Sequence, residues 1–127
     1  MRLFGIGTDI IKINRIKKSL NKKHFLKRIF NKKEISKCKK TKYMYNCFAK
    51  RFAAKEAFSK ALGTGVSKGI SFNEITVLNE RNGKPFIKLT DKTKKIVDKK
   101  LKNKKYKISL SLTDEDDYAV AFVTISL

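Results

Sequence analysis

The most informative segment of the chain reads Lys50-Arg51-Phe52-Ala53-Ala54-Lys55-Glu56-Ala57-Phe58-Ser59-Lys60-Ala61-Leu62-Gly63-Thr64-Gly65. Most of these residues are strong helix formers, and Gly63 supplies a stop signal for an α-helix. Glu56 and Lys60 are four positions apart, so they lie on one face of that helix. A carboxylate that can hold Mg²⁺, a nearby cation and a flexible glycine turn together suggest a phosphate site. An ordinary ion pair on an amphipathic helix is the alternative.

Strand and helix signals follow one another along the rest of the chain. Apolar alternation and turn residues predict the following main elements: strands at Leu3–Thr8, Ile70–Leu78, Pro85–Leu89, Tyr106–Leu112 and Tyr118–Ile125, and a long helix at Tyr43–Leu62. Shorter helices are expected before the long helix and again from Thr90 to Leu101, and Asn31 with Glu34 predicts a capping box. This order favours an α+β fold with a mainly antiparallel sheet packed against one long helix. No linker or repeat interrupts it, so residues 1–127 are expected to form one domain.

Positive charge is the main compositional feature. The formal net charge is +21, which raises the hypothesis of nucleic-acid binding. Lysine supplies nearly all of it, with 27 Lys against 5 Arg, whereas arginine is favoured for forked contacts to phosphates and bases. A basic surface also attracts acidic proteins, and high Lys, Ile and Asn content is typical of AT-rich coding. Charge alone leaves all three interpretations open.

Other residues point to an ordinary intracellular setting. No apolar run is long enough to span a membrane and no secretory signal is evident, so a cytoplasmic location is expected. Cys38 and Cys47 lack the spacing of metal ligands and are expected to be free thiols in a reducing compartment. His24 is the only histidine, and it has no neighbouring partner that would complete a catalytic set. We therefore expect His24 at the surface.

Five short motifs occur along the chain in a specific order. They are Gly5-Ile6-Gly7-Thr8-Asp9-Ile10, Lys50-Arg51-Phe52-Ala53-Ala54-Lys55-Glu56-Ala57, Gly63-Thr64-Gly65, Asn82-Gly83-Lys84-Pro85, and Ser111-Leu112-Thr113-Asp114 followed by Tyr118-Ala119-Val120-Ala121. Taken together, this set resembles the holo-acyl-carrier-protein synthases, the short bacterial branch of the 4'-phosphopantetheinyl transferases. The resemblance spans nearly the whole chain. Each motif alone is weak, but their joint order and spacing are specific.

The resemblance implies a reaction. Members of this family transfer the 4'-phosphopantetheine group of coenzyme A to a serine of apo-acyl carrier protein in fatty acid biosynthesis, releasing adenosine 3',5'-bisphosphate. A non-catalytic basic module that binds acyl carrier protein or nucleic acid is the alternative function.

The resemblance also assigns the catalytic and metal-binding residues. By position, Asp9 and Glu56 would be the ligands of Mg²⁺, which commonly takes one or two protein carboxylates. Lys60 would neutralise a phosphate oxygen or the leaving group. The base that takes the serine proton would be Glu56, directly or through a water. A water in the metal's own shell, without direct help from Glu56, is the alternative.

Further contacts are implied for coenzyme A and for the carrier protein. The coenzyme A contacts would be Arg51, Lys60, Gly63, Gly65, Asn82 and Pro85. Asp114 stands where some members carry His, so the contact to the 3'-phosphate stays open among Asp114, Thr113 and backbone groups. Arg15 would face the acidic recognition helix of the carrier protein. The family further implies a homotrimer with active sites at the subunit boundaries.

Overall fold

The α+β fold expected from the sequence is confirmed, with two antiparallel sheets and five helices. The computed structural model describes residues 1–22, 24–63 and 69–127. In chain order the elements are β1 (Leu3–Lys12), α1 (Ile13–Leu20), α2 (Phe25–Ile29), α3 (Lys32–Lys39), α4 (Met44–Leu62), a 3-10 turn (Phe72–Glu74), β2 (Ile75–Asn79), β3 (Pro85–Leu89), α5 (Asp91–Lys100), β4 (Lys107–Glu115) and β5 (Tyr118–Ser126). One sheet has the order β1-β5-β4, and β2-β3 is a hairpin. Within the described ranges, no helix is long and apolar enough to cross a membrane.

Three strand boundaries differ from those predicted. β1 continues beyond Thr8 because β5 pairs with it as far as Lys12, so Asp9 lies within the strand and not at its end. The strand expected from Ile70 begins only at Ile75, after the 3-10 turn. β4 extends to Glu115 because it too pairs with β5 over its whole length. Asp114 therefore lies within β4, beyond the strand end predicted at Leu112.

Small residues allow α4 to pack closely on β1. A Cβ atom at Gly5 would lie 1.9 Å from the carbonyl oxygen of Ala61, and one at Gly7 would lie 1.9 Å from that of Ala57. Both distances are far below van der Waals contact, so only glycine fits at these two strand positions. Side chains two positions apart lie on the same face of a strand. Asp9 therefore shares the face of Gly5 and Gly7 that is directed at α4.

A buried ion pair lies at the centre of the molecule. The Lys55 ammonium on α4 donates to Glu34 Oε1 on α3 at 2.8 Å, and to the carbonyl oxygens of Phe72 and Ile75 at 2.7 and 2.6 Å. The other Glu34 oxygen accepts from the Val77 amide on β2 at 2.9 Å. Both charged side chains are fully buried, so the pair joins α3, α4 and β2. Burial lowers the pKa of Lys55 to about 8, although Glu34 opposes the shift.

The two cysteines are not free thiols, so that prediction is wrong. Cys38 on α3 and Cys47 on α4 form a disulfide, with their Cα atoms 5.4 Å apart. This separation lies in the usual range for bonded cysteines. The bond forms because α3 and α4 pack side by side, which brings together residues that the sequence places in separate elements.

The outer face of the three-stranded sheet carries uncovered apolar side chains. Ile6 and Ile10 on β1 are 57% and 63% exposed, and Phe122 on β5 is 44% exposed. Thr8 pairs directly with Phe122, so these residues lie on one continuous surface. The opposite face of the same sheet is covered by α4.

Candidate active site

Asp9, Glu56 and Lys60 meet where β1 crosses α4. The Lys60 ammonium lies 3.3 Å from Asp9 Oδ1 and donates to the Thr8 carbonyl oxygen at 2.9 Å. Burial raises the pKa of Glu56, the Asp9 carboxylate raises it further, and Lys60 opposes both. The three side chains therefore share one electrostatic environment. The ion partner of Lys60 is Asp9 and not Glu56, so the alternative of a simple helical ion pair does not describe this site.

The donor set at this site fits a hard cation. Two half-buried carboxylates, Asp9 and Glu56, come from different elements, and the charge of Asp9 raises the pKa of Glu56. A divalent cation between them would remove that repulsion. In the described part of the chain, no group of three or more His, Cys, Asp or Glu side chains is arranged to hold a metal. Mg²⁺ does not need one, because it usually takes one or two carboxylates and completes its shell with water and phosphate.

A cavity of about 530 Å³ opens beside Glu56. Phe25, Phe52 and Phe72 form apolar walls, and Arg28 lies at the same cavity. This wall could not be predicted from the sequence, because its aromatic residues come from three separate elements, α2, α4 and the 3-10 turn. Apolar walls with a carboxylate at one side suit a ligand chain that is mostly uncharged and carries its reacting group at one point.

A second cavity, of about 430 Å³, is built around Arg51. Arg51 is only 5% exposed, and it donates to Asn79 Oδ1 at 2.8 Å and to Cys47 Sγ at 3.3 Å. Its Nε atom is buried and has no hydrogen-bond partner among the described residues. Burial lowers the pKa of Arg51, against the influence of Glu34. A buried guanidinium with a spare donor is suited to binding an anion.

Asp114 lies at this second cavity. Its carboxylate accepts from Asn46 Nδ2 at 2.7 Å and lies 3.3 Å from the Lys50 ammonium. The hydrogen bond from Asn46 holds the pKa of Asp114 below its usual range, and Lys50 adds to the effect. Sequence reasoning missed Asn46 and Lys50. Their spacing of four on α4 was the available signal, because it places both on one face.

The Asn82 hairpin reaches Arg51 through Asn79. Asn79 accepts the Arg51 hydrogen bond and donates to the Gly83 carbonyl oxygen at 3.0 Å. Pro85 begins β3 directly opposite Asn79. Asn82 is exposed in the turn and accepts from the Lys84 amide at 3.0 Å. Asn79 thus lines the Arg51 cavity, whereas the predicted hairpin residues Asn82 and Pro85 are not among its lining residues.

The remaining predicted residues are placed more loosely. Gly63 ends α4 with φ of 87°, a left-handed conformation that favours glycine. Gly65 lies outside the described residues. Arg15 is exposed on α1, His24 is exposed just before α2 as expected, and Thr113 is exposed on β4. None of these three is brought to the Asp9 site by an observed hydrogen bond within the described ranges.

Comparison with known proteins places this geometry in a family. A family model described as the 4'-phosphopantetheinyl transferase superfamily matches residues 5–123. The chain therefore belongs to this superfamily. Among named relatives, the holo-[acyl-carrier-protein] synthase of Pelagibacter ubique is 47% identical over 125 residues, covering 98% of both chains. That of Ehrlichia chaffeensis is 46% identical over 128 residues, covering 97% of this chain and 96% of the relative.

Solved structures have the same fold. The holo-[acyl-carrier-protein] synthase of Neisseria meningitidis superposes with a TM-score of 0.87 at 35% identity, covering 98% of this chain and 99% of that one. The synthase of Bacillus anthracis, determined in complex with CoA (3',5'-ADP), gives a TM-score of 0.80 at 36% identity over 99% and 98% of the two chains.

Proposed function

We propose that this protein transfers the 4'-phosphopantetheine group of coenzyme A to a serine of apo-acyl carrier protein, as a step of fatty acid biosynthesis. The observation that carries the proposal is the meeting of Asp9, Glu56 and Lys60 at the crossing of β1 and α4. The relatives named as holo-[acyl-carrier-protein] synthases support it, as does the coenzyme A complex of the Bacillus anthracis enzyme.

Each charged side chain of the site has a part in the reaction. Glu56 accepts the proton of the serine hydroxyl, directly or through one water, and its raised pKa makes it a stronger base than an exposed glutamate. The serine oxygen then forms a bond to the β-phosphorus. The bond between that phosphorus and the bridging pyrophosphate oxygen breaks, and adenosine 3',5'-bisphosphate leaves with the bridging oxygen. Lys60 balances charge on the phosphate oxygens, and Asp9 holds Lys60 in place. Mg²⁺ bound by Asp9 and Glu56 would supply further positive charge against the pyrophosphate.

The Arg51 cavity would hold the nucleotide end of coenzyme A. Arg51 offers a buried guanidinium whose Nε donor has no hydrogen-bond partner among the described residues, and Lys50 adds a second cation. Asp114 is ionised at neutral pH and repels a phosphate, so we assign the 3'-phosphate contact to the two cations. Gly63 and Gly65 would let the backbone approach the pyrophosphate. Asn82 and Pro85 would lie against the base.

The proposed enzyme acts as a cytoplasmic homotrimer formed from one domain of residues 1–127. The support for assembly is the uncovered apolar face at Ile6, Ile10 and Phe122, since a contiguous apolar surface of this kind typically marks a protein interface. Light scattering in moderate salt should give a trimer mass, and Ile10→Lys should shift it towards monomer with lower transfer activity. A fully active wild-type monomer would contradict the assembly.

Mass spectrometry of the carrier protein tests the reaction itself. Apo-acyl carrier protein is incubated with coenzyme A, Mg²⁺ and the wild-type protein, with Asp9→Asn and a metal chelator as parallel controls. Transfer adds the mass of one phosphopantetheine group to one serine. The proposal fails if the carrier protein gains no mass with any divalent metal.

A further inference from the structure

We propose that Cys38 and Cys47 form a reversible dithiol–disulfide site whose state sets how strongly the Arg51 cavity holds an anion. The chain has two cysteines in all, and they are bonded to each other. The cavity takes Lys37 from α3, and Lys50 and Arg51 from α4. The disulfide joins these same two helices, so it connects two of the elements that line the cavity.

Only one of the two sulfurs can be approached from the cavity. Cys47 lines it and is 9% exposed, whereas Cys38 is 0% exposed. The Arg51 guanidinium donates to Cys47 Sγ at 3.3 Å. A cation beside a sulfur stabilises its thiolate form and makes it a better leaving group. Access therefore directs the first attack to Cys47, and Arg51 favours the departure of Cys47 as a thiolate in the second exchange step.

The reductant we assign is a dithiol of low molecular weight or a dithiol protein. One of its thiolates attacks Cys47 Sγ, a mixed disulfide forms, and Cys38 leaves as a thiolate that takes up a proton. The second thiolate of the reductant then attacks the reductant sulfur that is bonded to Cys47 in the mixed disulfide. Cys47 then leaves as a thiolate beside Arg51, and the reductant becomes a disulfide. Two electrons pass to the protein, and the reverse reaction with a disulfide restores the bond.

Reduction weakens anion binding by two routes that act in the same direction. It removes the covalent link between α3 and α4, so the separation of Lys37 and Arg51 is then set by noncovalent contacts alone, among them the Lys55–Glu34 pair. It also leaves a sulfur beside Arg51 that, when ionised, competes with an incoming anion for the guanidinium. A redox-sensing role suits a cytoplasmic protein, in which lasting structural disulfides are rare.

The effect on nucleotide binding rests on the proposed function. The experiment therefore measures the state of the disulfide and the affinity for the nucleotide separately. Protein oxidised with glutathione disulfide, and the same protein reduced with dithiothreitol, are unfolded in denaturant, alkylated and weighed. We expect no label before reduction and two labels after it. Adenosine 3',5'-bisphosphate is then titrated into both forms by calorimetry. We expect the dissociation constant to rise about fivefold or more on reduction.

Two variants serve as controls. Cys38→Ser should resemble the reduced protein, and Cys38→Ser/Cys47→Ser should give the same affinity with and without dithiothreitol. Two labels on the oxidised protein, or equal affinities of its two forms, would overturn the proposal, and so would a response of the double variant to reductant. If neither form binds the bisphosphate, the link to the cavity is overturned. The transfer assay on the carrier protein still decides the proposed function separately.

Discussion

The ionised form of Glu56, which the proposed catalysis needs, opposes the stability of the fold. Burial and the Asp9 carboxylate raise its pKa, so the folded protein holds this proton more tightly than the unfolded chain. By linkage, the stability that this group contributes is present at low pH and is lost as pH rises through the raised pKa. At neutral pH the ionised carboxylate is a small burden on the fold, which is consistent with a role in catalysis.

Glu56→Gln should therefore abolish transfer without weakening the fold. We expect kcat to fall by about 10²–10⁴-fold, the usual contribution of a general base, while the free energy of unfolding at pH 7 stays equal or rises. Steady-state kinetics and denaturant unfolding measure the two effects. Glu115→Gln, which changes an exposed carboxylate on β4, is the matched control. Near-normal transfer by Glu56→Gln would refute the assignment of the base.

Lys60 should set the pH below which kcat falls. Its charge lowers the pKa of Glu56, so Lys60→Gln should raise that pKa and move the acid limb of the kcat profile to higher pH. Lys60→Arg keeps the charge and should leave the limb near its wild-type position. A pH–rate series on the three proteins makes the comparison. A limb that does not move in Lys60→Gln would mean that Glu56 is not the group titrating in it.

At the scale of the elements, the Lys55–Glu34 pair holds the central helix in register. The pair ties α4 to α3 and to the start of β2. Its lysine, Lys55, immediately precedes Glu56 in the chain. Because both side chains are fully buried, removal of one leaves the other as an unpaired charge in the interior. Breaking the pair is therefore expected to destabilise the protein by more than the intact pair stabilises it.

Lys55→Met should lower the free energy of unfolding by about 3–5 kcal/mol. Glu34→Gln/Lys55→Met should lose less than the sum of the two single variants, by about 0.5–3 kcal/mol. The pKa of Lys55 falls from 10.5 to about 8 on folding, so keeping Lys55 charged in the folded protein costs stability, and the full cost applies below pH 8. That penalty is relieved as pH rises from about 8 towards 10.5, and the stability difference between wild type and Lys55→Met should grow over this range. Denaturant unfolding at several pH values tests both effects, and strict additivity would rule out the coupling.

Local signals in the sequence were reliable, whereas contacts between elements were not. The capping box of Asn31 and Glu34 was predicted and is observed, because both partners lie within one helical turn. The strand Pro85–Leu89 was likewise predicted with its observed bounds. By contrast, Asn79 as the partner of Arg51, and Asp9 as the partner of Lys60, depend on how separate elements pack. The same reason explains the missed disulfide.

The meeting of Asp9 with Glu56 was expected only through the resemblance to a family. Nothing in the spacing of the two residues indicates it. The physical cause is the pair Gly5 and Gly7, whose missing side chains let β1 approach the backbone of α4. The sequence contained this information as two glycines in a strand, a pattern that signals close approach of another backbone.

At the scale of the whole molecule, the net charge of +21 has to be divided between function and solvated surface. The family and the relatives favour an acidic protein partner over nucleic acid. Most exposed lysines can contribute only to the general attraction, which speeds association and is screened by salt. Arg15 differs because arginine is scarce in this chain and can form a forked contact with a carboxylate. Its exposure on α1 leaves it free for such a contact.

Arg15→Glu should raise the apparent KM for acyl carrier protein by about tenfold, the equivalent of roughly 1.4 kcal/mol, with little change in the KM for coenzyme A. Lys99→Glu makes the same change of charge at an exposed position on α5. This control separates the effect of a contact at α1 from the effect of the net charge. Added salt should weaken the wild-type interaction with the carrier protein. It should also reduce the difference between wild type and Arg15→Glu in the KM for the carrier protein. Steady-state kinetics with each substrate varied in turn gives the KM of each of the three proteins for the carrier protein and for coenzyme A. If Lys99→Glu raises the KM for the carrier protein as much as Arg15→Glu does, attraction by the whole charge and not a docking contact at α1 governs the encounter.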